Sequence, residues 1–124
     1  MKLHIFLEQN FCSLCERCEE VFHQSIWVKL ETMAKAAKIY KILWCSNGRY
    51  AKELIQPLTN GLNSLLRNKE YYKKFNPVPQ FRDPKTGEVM WYGTENYSHL
   101  YCLVYYYLEA CKKYPSAIIR IEII

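Results

Sequence analysis

The stretch SLCERCEEVFHQSIWVKLETMAKAAKIYKILW, residues 13–44, is the one whose reading decides the fold. Ser13 and Glu16 stand at capping-box spacing, which predicts a helix over residues 14–22. Further on, Ile26, Leu30, Met33, Ala37, Tyr40 and Trp44 share one face at about 100° per residue. That periodicity predicts a second, longer helix over residues 26–44. Lys35, Lys38 and Lys41 fall on its other side with Glu31, the one acid of residues 25–44. Glu31 is spaced for an i,i+4 ion pair with Lys35. Lys29 falls on the apolar face, where a lysine must snorkel outward or line a polar cleft.

Outward from this stretch, LHIFL (residues 3–7) reads as a short strand. SAIIRIEII (residues 116–124) alternates Arg120 and Glu122 with Ile119, Ile121 and Ile123, the period of a strand. The two ends are expected to pair. In CSNGRY, Gly48 suits a left-handed cap. A helix is predicted over residues 50–74, with a bend at Pro57. FRDPKTGEVMW reads as a turn, with Pro84 and Gly87, between two extended pieces. The last helix, residues 94–113, carries the apolar stripe Tyr97, Leu100, Tyr101, Val104, Leu108 and Cys111, and Pro115 follows its end. The expected fold is mainly α: a single domain over residues 1–124, with about four helices and a small terminal β-sheet.

A chain of 124 residues, half of them apolar, is long enough for one hydrophobic core and too apolar for disorder. Its apolar runs fall short of the roughly 20 residues that span a bilayer. The start MKLHIFLEQNFCS lacks the long apolar centre of a secretory leader, so a cytoplasmic protein with no membrane partner is expected. The formal net charge of +5 favours an anionic partner, and the eleven tyrosines are mostly placed where a core would want them. Cys12, Cys15 and Cys18 form C-x2-C-x2-C. Zinc needs four ligands, and only Cys45 is available as a distant fourth. The set reads as a buried small-residue stripe of free thiols, so no metal and no cofactor are expected, with a zinc site as the rival.

Three segments together, IFLEQNF at the start, VKLETMAKAAKI in the second predicted helix and MWYGTENYSHLYCLVYYYLEA near the end, resemble the pyrimidine-dimer DNA glycosylases of the phage endonuclease V type. Lys29 and Glu31 match that family's pair of a basic residue and an active-site glutamate one residue apart. Met90, Trp91, Gly93 and Glu95 match its Met-Trp-x-Gly-x-Glu motif, with Leu100 and Tyr101 continuing into a tyrosine-bearing helix. The resemblance covers about half the chain. It implies a base-excision DNA glycosylase and AP lyase of DNA repair, acting on damaged or modified double-stranded DNA. The chain's own amine attacks the sugar carbon that bears the base, and a glutamate stabilises the resulting Schiff base and moves protons. By this resemblance Met1 supplies the amine and Glu31 the carboxylate, while Lys29, Lys35, Lys38, Arg49 and Arg67 are the candidate DNA-binding residues. The competing reading is a non-catalytic phage or mobile-element accessory protein that binds a host protein.

Overall fold

A computed structural model of the chain describes residues 1–12, 14, 17–75, 80–82, 84–87, 89–91 and 97–124. In chain order these form β1 (Lys2–Cys12), β2 (Arg17–Trp27), a 3-10 turn (Val28–Leu30), α1 (Glu31–Ala36), α2 (Tyr40–Trp44) and a second 3-10 turn (Ala51–Leu54). Then come α3 (Ile55–Arg67), α4 (Lys69–Lys73), the strand pair β3 (Gln80–Arg82) and β4 (Val89–Trp91), α5 (Tyr97–Lys113) and β5 (Ile118–Ile123). β1 is the middle of a three-stranded antiparallel sheet ordered β2-β1-β5, and β3 and β4 form a separate antiparallel pair.

The fold is therefore mixed α/β, which corrects the mainly α expectation. The largest correction is β2, a strand where the capping-box spacing predicted a helix over 14–22. Its alternation is masked by a bulge. Leu7 pairs with Phe22 but Glu8 pairs with Glu20, so Val21 is the extra residue. Val21 and Phe22 both pack against the core, two adjacent apolar contacts that no period of two contains. Ser13 and Glu16, which carried the helix prediction, lie outside the described residues.

The long helix expected over 26–44 is also replaced. Ile26 and Trp27 close β2, the 3-10 turn follows, and α1 and α2 are separated by a left-handed turn. Lys38 N–H donates to Lys35 O at 3.1 Å and Ile39 N–H to Ala34 O at 2.9 Å, the two bonds of a Schellman motif. Lys38 adopts φ +60°. A side chain there costs about 1 kcal/mol relative to glycine. The apolar residues of the predicted stripe are nonetheless the buried ones: Ile26, Leu30, Met33, Ala37 and Trp44, with Tyr40 half-buried. Pro57 does not break α3, because it is the third residue of that helix, where the missing N–H has no intrahelical partner to lose. The helix instead breaks at Asn68, between α3 and α4.

Other expectations hold. The two ends pair through β1 and β5. Gly48 and Gly87 adopt φ +83° and +74° at their turns, although Gly48 caps no helix, since α2 ends at Trp44 with Cys45 as its cap. In α5, Tyr97, Leu100, Val104, Leu108 and Cys111 are buried and Tyr101 is packed against them. The inner sheet face of Leu3, Ile5, Leu7, Ile26 and Ile119 forms one core with α5 and with Leu58 and Leu65 of α3. Tyr97 Oη–H donates to Leu65 O at 2.6 Å and ties α5 to α3. Among the described residues no helix is long and apolar enough to cross a membrane.

Candidate nucleic-acid interface

Alternation along β1 sends Leu3, Ile5 and Leu7 inward and His4, Phe6 and Glu8 outward. On that outer face the His23 ring stacks on Phe6 at 4.2 Å, and the Arg120 guanidinium lies 3.8 Å from the Phe6 centroid. His4 Nδ1 and His23 Nε2 are 2.9 Å apart. Arg120 is ion-paired with Glu8 and Glu122, so its charge is already neutralised. This face offers little to a polyanion.

The cationic ground lies at the opposite end of β1. Lys2 and Ile124 exchange both backbone hydrogen bonds, at 2.8 and 3.0 Å. Val28 N–H donates to Met1 O at 3.2 Å, which fixes residue 1 against the turn that leads into α1. Glu31 is the first residue of α1, where the helix dipole favours an acid. Lys29 does snorkel: it is exposed, and its ammonium lies 4.2 Å from the centroid of the Trp27 ring. Glu31 Oε1 meets Lys35 Nζ at 2.7 Å, the i,i+4 pair its spacing allowed. That hydrogen bond, and then the carboxylate's charge, push the Lys35 ammonium above the usual lysine range. Lys35 Nζ also sits 4.8 Å from the Tyr40 ring centroid, and Tyr40 stacks on Trp44 at 5.1 Å. Lys35, Lys38, Tyr40 and Lys41 line an open recess of about 310 Å³.

The chain matches no family model, no curated protein and no solved structure. What it can do rests on its own geometry.

Of the residues singled out by sequence, Met1 is tied by its carbonyl to the turn before α1, Glu31 and Lys35 pair on α1, and Lys38 follows the end of α1; among the described residues no hydrogen bond or ion pair joins the Met1 amine or Lys29 to Glu31. Arg49 does not join them. It lies in the loop beside β5, where Ile119 N–H donates to Arg49 O at 2.9 Å, and its guanidinium Nε is 3.8 Å from Glu53. Ile119 pairs with Leu7, six residues along β1 from Met1, which is on the order of 20 Å. Arg67 is exposed at the last position of α3. Among the described residues, Lys29, Lys38, Lys41 and Arg67 have no carboxylate partner within ion-pair distance. Sequence reasoning left Lys41 and Tyr40 out of the site. The three-residue spacing of Lys35, Lys38 and Lys41 was the available signal. Tyr40 falls in the apolar stripe of the helix predicted over residues 26–44.

The cysteine motif cannot be placed: Cys15 and the side chains of Cys12 and Cys18 lie outside the described residues, as do Gly93, Glu95 and the side chains of Met90 and Trp91. Among the described residues no three metal-ligating side chains converge. Cys45, Cys102 and Cys111 are free thiols.

Proposed function

We propose that this chain binds double-stranded DNA and acts on an abasic, damaged or modified site as a glycosylase and AP lyase, with the Met1 amine and Glu31 as its catalytic groups. The observation that carries this reading is the hydrogen bond from Val28 to the Met1 carbonyl, which holds residue 1 at the turn that delivers Glu31. An α-amine is by its chemistry a weaker base than a lysine side chain, which suits it to act as the nucleophile. Lys35, the amine in contact with Glu31, is held as an ammonium by that contact and suits a phosphate better than a carbonyl carbon.

At an abasic sugar the amine adds to C1′, and loss of water leaves the protonated imine. A base then removes the C2′ proton, the electron pair forms the C2′–C3′ double bond, and the 3′-phosphate leaves. Glu31 is the base, released from Lys35 when that ammonium turns to the DNA. Lys29, Lys35 and Lys38 neutralise the phosphates flanking the site.

Borohydride trapping on an abasic duplex tests the chemistry. A covalent protein–DNA adduct is expected, reduced by Glu31→Gln and by N-terminal acetylation. Absence of any adduct with the unmodified protein rejects the lyase.

A second reading, the accessory protein that binds a host protein, is favoured by the exposed rings of Tyr105 and Tyr106, which touch each other on α5, and of Tyr71 on α4. Salt-insensitive capture of a protein partner, with no DNA affinity, would select it.

A further inference from the structure

One residue of the chain holds a conformation its side chain disfavours, and it faces the cationic recess. Lys38 is the one residue other than glycine with positive φ among the described residues. At Gly48 and Gly87 the chain uses glycine for the same backbone region. At the C′ position of a Schellman motif glycine is the ordinary choice, because it adopts the left-handed region without a steric cost. A lysine here sacrifices stability, and strain of this kind concentrates at functional sites.

The turn also changes where the lysines point. On a straight helix, residues three apart drift by about 60° per step, so Lys35 and Lys41 would diverge. The left-handed step at Lys38 interrupts that drift, and Lys35, Lys38 and Lys41 line the same recess. Glu31, the acid of this stretch, is engaged by Lys35, which leaves the Lys38 and Lys41 ammoniums without a carboxylate among the described residues. The Tyr40 ring at the recess is already stacked on Trp44 and approached by Lys35, so a nucleobase finds no free aromatic face there. A compact oxyanion with several acceptor oxygens fits this chemistry better than a base does.

We propose that the α1–α2 turn is a phosphate seat for the DNA backbone, formed by Lys35, Lys38 and Lys41, and that Lys38 occupies the left-handed position in place of glycine for its charge. The proposal rests on the DNA-binding reading above but not on the amine chemistry.

Lys38→Gly separates the two roles, since it relieves the backbone and removes the charge. Its melting temperature is expected to rise by a few degrees. Its affinity for a duplex, followed by fluorescence anisotropy over a salt series, is expected to fall several-fold, with the slope of log affinity against log salt reduced by about one. Lys41→Gln should reproduce the change in slope without the gain in stability. A Lys38→Gly protein that binds duplex with unaltered affinity and slope overturns the proposal, as does one that melts no higher than the parent. Tripolyphosphate, titrated against the backbone amide resonances of residues 35–41, distinguishes the source of the phosphate. Shifts that Lys38→Gly abolishes, in a protein without duplex affinity, would keep the seat and reject DNA as its ligand. No response to either probe would reject the seat itself. A failed borohydride trap, with duplex binding intact, would remove the lyase and leave the seat standing.

Discussion

Among the described residues Tyr107 is the largest fully buried side chain, and its hydroxyl has no hydrogen-bond partner. Its ring is used: it stacks against Phe22 of β2 at 5.9 Å and joins α5 to the sheet. The oxygen is a liability, because a buried hydroxyl without a partner loses its hydration and gains nothing in return. Tyr107→Phe keeps the ring and removes the unsatisfied group. It is expected to stabilise the protein by about 1 kcal/mol, read as a higher midpoint in urea at unchanged slope. A lower midpoint would show that the hydroxyl has a partner worth keeping.

At the scale of elements, α3 packs closely against the turn before α2 at Gly61. A β-carbon built on Gly61 would lie 2.3 Å from Ile39 Cγ2. Gly61 is thus needed for space rather than for its backbone freedom. Ile39 is itself pinned, because its N–H closes the Schellman motif on Ala34. Gly61→Ala should therefore destabilise by about 1–3 kcal/mol, the range for overpacking a close-packed site. In an Ile39→Ala background most of that penalty should vanish, and a double-mutant cycle measures the coupling. Additive effects of the two substitutions would contradict the packing account.

For the molecule as a whole, α5 is covered on one side by β2 of the sheet and on another by α3, and its buried ionisable groups link global stability to pH. Burial pushes the Cys111 thiol up to about 12 and raises the Tyr107 phenol as well. In the unfolded chain the thiol titrates near pH 8.5. Above that pH the unfolded state releases a proton that the folded state retains. The stability these groups confer is complete below about pH 8.5 and is lost as pH rises toward 12. Unfolding midpoints measured from pH 7 to 11 should fall on the alkaline side, and Cys111→Ala should make the fall shallower. A pH-independent midpoint over that range would contradict the burial of both groups.

The residues by themselves determined which positions are apolar and where the chain turns. Ile119 and Ile121 alternating with Arg120 mark β5, the stripe from Tyr97 to Cys111 marks α5, and Gly48 and Gly87 mark turns. The apolar positions of residues 26–44 were legible too, although the helix assumed to carry them was not the one that forms. Periodicity records burial, and a turn that preserves burial leaves no trace in it. Tertiary structure decided the rest. β2 is a strand because β1 offers it a long antiparallel partner, and the bulge at Val21 that adjusts the pairing also erases the period of two. The candidate site shares this division. Glu31 and Lys35 are adjacent by helical spacing alone, whereas Met1 reaches the turn before α1 only because β1 pairs with β2 and sets Lys2 opposite Trp27. Local spacing fixes contacts within one turn of helix. Contacts between distant residues depend on pairing energies that no short stretch contains.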